Sequence, residues 1–215
     1  MRIAAAVLMC CVMPGGVAAQ PVPPALPKHD ATLTIGWAGS EYELSRYDRW
    51  RASLLVGGSV GHFWTDHLKT EFEAGWSNPG KAEIYEDITY LGALTYAEAD
   101  HRSHDLRLGA TQIYQFGRNA WVHPYVGVGF DVVRRETSIE RRPQSRAVFL
   151  PPNRNIPVEI PPASERRTDV FGQGILKTGL KLYASEKAFF YTEFKLGLRR
   201  DVDHVVWKIG LGFDF

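Results

Sequence analysis

The stretch DHRSHD, residues 100–105, sets His101, Ser103 and Asp105 at alternate positions. A hydroxyl, an imidazole and a carboxylate are the parts of a nucleophilic relay, in which the base takes the serine proton and the acid orients the base. The spacing works against that chemistry. Alternate residues of one strand lie about 6.5–7 Å apart, beyond a direct proton relay unless the strand bends. His104 points to the opposite face, which also weakens metal ligation by His101 and His104. No nucleophile elbow or other specific catalytic signature accompanies the cluster, so it reads as a set of polar residues at a strand end, and no catalysis and no cofactor are expected.

The elements that would position such residues are strands. From residue 31 onward no segment has helical periodicity, and no uncharged run is long enough for a spanning helix. Period two recurs eight times instead. The apolar parity runs through Leu33, Ile35 and Trp37 (31–43), then Ala52, Leu54, Val56, Val60 and Trp64 (50–64), then Leu68, Phe72, Ala74 and Trp76. It continues in Leu106, Leu108, Ala110, Tyr114 and Phe116, and in Val122, Val126, Val128, Phe130 and Val132 (121–140). The sixth row is Val170, Leu176, Leu180 and Leu182, with Phe171 and Ile175 as exceptions on the polar side. Phe190, Phe194, Leu196 and Leu198 make the seventh, and Val205, Trp207, Ile209, Leu211, Phe213 and Phe215 the last.

Arg2, the uncharged run IAAAVLMCCVM and the small residues Val17 and Ala19 have the layout of a secretory signal peptide, residues 1–19, cut near Ala19–Gln20. Cys10 and Cys11 fall inside it, and Met9 stands where lipoprotein acylation wants a small residue. The exported chain is therefore expected to carry no disulfide or thiolate metal site. Residues 20–30, rich in proline, read as a linker, which leaves 31–215 as one domain. Lys+Arg 25 against Asp+Glu 24 gives no reason to expect a nucleic-acid partner.

Alternation alone does not say which face is inside. Ten glycines share the polar parity: Gly57, Gly61, Gly75, Gly109, Gly127, Gly129, Gly179, Gly197, Gly210 and Gly212. Small residues interleaved with long charged ones suit the cramped lumen of a small barrel. Tight connections, 65–67, 117–120 and 184–187, alternate with long ones, 77–102 and 142–167, and a brief link at RRDVD. Short turns on one side and long loops on the other are the arrangement of membrane β-barrels, with short turns toward the periplasm. Trp64, Phe116, Trp121, Phe189, Phe190, Phe213 and Phe215 would form an aromatic girdle there. Tyr125 and Tyr191 fall on the lumen side.

The last row, Trp207, Ile209, Leu211, Phe213 and Phe215, resembles the C-terminal targeting signal of bacterial outer-membrane barrels. From residue 31 the chain resembles the small OmpA/OmpX-type barrels. The resemblance implies an all-β, eight-stranded antiparallel up-and-down transmembrane barrel, recognised during insertion by the barrel-assembly machinery and resident in the outer membrane after signal cleavage.

In this register the lumen holds Lys69, Arg107, Lys177, Lys181, Lys195, Arg199 and Lys208 with Glu71, Glu73, Asp105, Asp131, Glu193 and Asp214. Near-balanced charge in so narrow a bore points to a salt-bridged plug. The expected function is a monomeric integral outer-membrane protein with a structural or surface-interaction role. Loop 142–167 carries Pro143, Pro151, Pro152, Pro157, Pro161 and Pro162 among Arg142, Arg146, Arg154, Arg166 and Arg167. It is the candidate site for an extracellular ligand, and its arginines suit outer-membrane lipid and the phosphates of lipopolysaccharide. Three alternatives stay open: a narrow ion channel, a rim enzyme acting on lipid A or peptides, and a soluble periplasmic lipid-binding barrel with an apolar lumen.

Overall fold

The computed structural model describes residues 28–44, 47–78, 80–90, 93–116, 121–150, 154–199 and 202–215. The expected signal peptide, most of the expected linker and the 117–120 turn lie outside these residues. Eleven strands are present: β1 (His29–Leu44), β2 (Tyr47–Phe63), β3 (Leu68–Asn78), β4 (Lys81–Tyr90), β5 (Ala93–Gln115), β6 (Val122–Arg141), β7 (Gln144–Leu150), β8 (Arg154–Ile160), β9 (Ala163–Tyr183), β10 (Ala188–Leu198) and β11 (Val202–Asp214). The sheet curls through β1, β2, β3, β5, β6, β9, β10 and β11 and closes on itself, β11 against β1 and β3 against β5. The fold is thus the eight-stranded antiparallel barrel the alternation predicts.

The alternation builds it directly. Along β3, Lys69, Glu71, Gly75 and Ser77 are buried while Leu68, Phe72, Ala74 and Trp76 face out. Leu33, Trp37, Val60, Leu108, Val128, Phe130, Leu176, Phe194 and Leu211 face out on the other strands. Such a belt opposes the hydrophobic effect in water and satisfies it in hydrocarbon, where closure also leaves no unpaired backbone edge. Two polar pairs lie on this wall: Thr70 Oγ1 donates to Gln112 Oε1 at 2.8 Å, and Trp207 Nε1 donates to Thr192 Oγ1 at 3.1 Å.

Two short turns share one chemistry. Thr65 Oγ1 accepts the amides of His67 and Leu68 at 3.3 and 3.0 Å, and Ser185 Oγ accepts those of Lys187 and Ala188 at 3.4 and 3.0 Å. A hydroxyl that replaces the missing backbone acceptor is why TDH and SEK close tightly.

The opposite end departs from the sequence reading. The stretches 77–102 and 142–167 are mostly strand. β4 continues the line of β3 along β5, displaced by one residue at Gly80: Ser77 pairs with Asp105, and Lys81 with Arg102. Gly80 takes φ 74°, a left-handed value that glycine adopts without steric cost. Likewise Arg141 pairs with Ala163 and Gln144 with Ile160, so β6–β9 and β7–β8 are one ribbon in a single register. Its ladder breaks where Pro143 faces Pro161 beside Pro162, because proline has no amide to donate. The Gln144 side-chain amide then pairs with the backbone of Glu98, accepting its N–H at 3.0 Å and donating to its carbonyl, which ties the start of β7 to β5. Proline density made this segment read as loop. The local register shows that prolines placed opposite one another interrupt a ribbon without ending it.

Close neighbours occupy the space beside most of the lumen-facing glycines. A Cβ on Gly109 would collide with the carboxylate of Asp131, and one on Gly212 with the Phe189 ring. Gly109→Leu is expected to cost about 1–3 kcal/mol by overpacking, whereas Ala110→Leu on the exposed face is expected to change stability little. The refolded fraction on an unheated gel across a urea series checks both.

Candidate functional site

The charged network of the lumen is built from side chains of alternate parity on β1, β3, β6, β9, β10 and β11. Asp30 of β1 lies 2.8 Å from Lys69 Nζ and also pairs with Lys181. Lys69 is 2.6 Å from Glu71, which pairs in turn with Lys177. Lys177 approaches Glu73 at 3.8 Å and Glu193 at 3.5 Å. Lys208 joins those two carboxylates at 2.8 and 2.9 Å, and Lys195 links Glu73 at 3.5 Å to Asp131 at 2.8 Å. Lys69, Lys177, Lys181, Lys195 and Lys208 therefore form one connected, charge-balanced lattice with Asp30, Glu71, Glu73, Asp131 and Glu193. Tyr125 donates to Glu193 at 2.8 Å, and Tyr183 to Asp214 at 2.6 Å. Burying a charge is tolerable only when it is paired and hydrogen-bonded, and here each carboxylate meets at least one ammonium group.

A cavity of about 10 Å³ between Thr32, Lys69, Ile113, Tyr125, Phe189 and Tyr191 holds roughly one water. A soluble lipid carrier would need an apolar lumen, and this one is charged.

Asp30, assigned to the linker on sequence, belongs to the network because β1 begins at His29. Its parity with Thr32 and Thr34 carried the signal, hidden by the preceding prolines. Arg199 does not join; it is exposed beyond the end of β10, 4.7 Å from the centroid of the Phe171 ring. Phe189 is no girdle residue either. It is 2% exposed, with Lys181 Nζ 4.1 Å from its ring centroid, a cation–π contact that occupies the turn end of the lumen. Trp64, Phe116, Trp121, Phe190, Phe213 and Phe215 do face outward. So do Trp207, Ile209 and Leu211, with Trp207 stacked on Trp37 at 5.5 Å across the β1–β11 seam.

Toward the ribbon end, Asp105 is gripped by Arg135 through Nε at 2.9 Å and Nη2 at 3.0 Å, and by Arg107 at 2.8 Å. Arg135 shares the parity of Asp131 on β6, a signal available in the sequence. His101 and Ser103 are buried above this cluster, and Ser103 Oγ makes no hydrogen bond. Further out, Ile84 and Ala99 pack with Ile139, replacing charge by a small apolar core.

The family model for the outer membrane protein beta-barrel domain matches residues 3–215. The chain belongs to this family. No curated protein matches its sequence. Among solved structures, the outer membrane protein OprG from Pseudomonas aeruginosa is similar at 14% identity and TM-score 0.53, over 88% of this chain and 97% of that one. Neisserial surface protein A is similar at 12% identity and TM-score 0.50, over 87% and 97%. The N-terminal β-barrel domain of Pseudomonas aeruginosa OprF is similar at 16% identity and TM-score 0.48, over 86% and 97%. For OprG and Neisserial surface protein A the likeness is one of fold.

For an outer-membrane barrel of this kind the lattice makes a direct prediction. Lys177→Met leaves Glu71, Glu73 and Glu193 short of a cation and is expected to destabilise the barrel by about 3–5 kcal/mol. Adding Glu71→Gln is expected to recover part of the loss. Equilibrium urea unfolding in lipid vesicles, followed by tryptophan fluorescence, checks both.

Proposed function

We propose that this chain is an integral outer-membrane protein whose barrel is a closed, non-catalytic anchor and whose ribbon end carries a structural or surface-interaction role. The observation that carries the reading is the pairing of a continuous outward apolar belt with a lumen packed by salt bridges. The belt suits hydrocarbon, and the packed bore leaves function to what projects from the barrel. The short turns then face the periplasm and the proline-interrupted ribbon faces outward. An outward row ending in Leu211, Phe213 and Phe215 on the strand that closes the barrel fits recognition by the assembly machinery at insertion. The ribbon offers Arg142, Arg146 and Arg167 to an extracellular ligand; Arg146 is engaged by Glu98 and sits 4.9 Å from the Tyr96 ring centroid.

Cell-envelope fractionation tests this reading. The protein is expected in the outer-membrane fraction, with a gel mobility that changes on boiling, and protease added to intact cells is expected to cut only at the ribbon end. A soluble periplasmic band without a mobility change overturns it.

The base of the ribbon supplies a pH prediction. Asp100 lies 2.8 Å from Lys81 Nζ and 3.3 Å from Arg142, and the Lys81 ammonium, through its hydrogen bond, holds that carboxyl below its usual range. A lowered value in the folded state means the tie is intact above the ordinary carboxylate value of about 4 and is lost as pH falls through the lowered one. Amide exchange in β7 and β8, corrected for intrinsic rates, is expected to stay constant from neutral pH down to that region and rise only below it. Asp100→Asn is expected to raise it already at neutral pH.

A further inference from the structure

On the outward wall of β5, β6 and β9 the apolar belt stops at Leu106, Val132 and Val170. Across that edge Leu106 pairs with Arg134, and Arg134 with Val170. The next outward row is His104, Glu136 and Thr168, and the one beyond it Arg102, Ser138 and Arg166. Below the edge, Val122–Val132 matches the roughly 9–11 residues with which a tilted strand crosses hydrocarbon. The three charged rows therefore begin where acyl chains give way to headgroups.

Glu136 organises this patch. It lies 3.3 Å from His104 Nε2, 3.9 Å from Arg134 and 3.7 Å from Arg166, while Arg102 stands 4.0 Å from Glu140. The arginine distances exceed hydrogen-bond length, so the carboxylates gather the guanidinium groups without using up their donors. The side chains of Arg102, Arg134 and Arg166 are 58%, 58% and 74% exposed. With strands about 4.8 Å apart and alternate residues about 6.7 Å apart, the patch is about 10 Å wide and 13 Å tall. The wall of β10 and β11 ends instead in outward Leu196 and Val205.

We propose that this wall is a binding site for a phosphorylated lipid headgroup of the surrounding leaflet. Arg102, Arg134 and Arg166 hold the phosphate, and Leu106, Val132 and Val170 receive the acyl chains. Guanidinium matches phosphate geometry in paired hydrogen bonds, which suits three arginines converging on one face. A lipid is the fitting occupant because the cationic rows continue directly into a lipid-facing belt, whereas a soluble anion would use only their upper part. The proposal rests on the membrane reading above.

The test uses the full refolded barrel in detergent, titrated with diphosphorylated lipid A, with the same lipid stripped of its phosphates, and with inorganic phosphate. Arg102→Gln, Arg134→Gln and Arg166→Gln combined are expected to weaken lipid A binding by about tenfold or more, as is removing the phosphates from the lipid. A control with the same charge loss away from this wall, Lys28→Gln, Lys187→Gln and Arg199→Gln, is expected to stay within about twofold. Unchanged binding by the first triple variant overturns the site. So does equal loss in the control, equal binding of the stripped lipid, or competition by millimolar inorganic phosphate, which would assign the wall to a soluble anion. A boiled and unboiled gel of each sample separates the two claims. A wild-type protein without a heat-dependent shift overturns the membrane reading itself, whereas a shifted wild type that ignores lipid A overturns this site alone.

Discussion

Everything in this barrel depends on pairing ten buried charges inside a ring of apolar side chains. An unpaired ammonium or carboxylate in that interior would cost several kcal/mol, more than a marginally stable fold can absorb, so each residue of the lattice is tied to the presence of another on a different strand. Asp30, near the first residue of β1, meets Lys69 of β3 and Lys181 of β9. Lys208 of β11 meets Glu73 of β3 across the bore. Contacts that cross the lumen select one strand register, because a slip by one residue would turn the lysines outward and the leucines in. The same period-two pattern thus supplies the lipid belt and the plug together.

Toward both ends the character of the interior changes. At the turn end, Phe189 and Lys181 close the interior. At the ribbon end the interior passes from the Asp105, Arg107 and Arg135 cluster to Ile84, Ala99 and Ile139, while the ribbon ladder is interrupted at its opposed prolines and Gln144 pairs with Glu98. The buried His101 and Ser103 belong to this transition. Their alternate spacing, which resembles catalytic machinery on paper, is the spacing of neighbours on one inner face.

Strand identity and face were legible because alternation is a strong signal: Lys69, Glu71, Glu73, Lys177, Glu193, Lys195 and Lys208 all face the lumen as their parity requires. Three features were hidden for physical reasons. Proline marks a missing donor but not the end of a ribbon, so β7 and β8 looked like loop. The start of β1 lay behind prolines, which concealed Asp30. Phe189 and Phe190 are adjacent aromatics beside a turn; Phe189 shares the parity of Tyr191 and Glu193, but its nearness to the turn grouped it with the girdle although its ring is buried. Arg199 shows the converse: parity holds only as far as the strand does, and β10 ends at Leu198.

A bore packed by this lattice is expected not to conduct, and electrical recording across a planar lipid bilayer tests that. Purified protein inserted in molar potassium chloride is predicted to give no stable single-channel steps while remaining heat-modifiable on a gel. Stable ohmic steps whose ion selectivity changes with Glu73→Gln or Lys208→Gln would show a conducting path through the charged core and contradict the account.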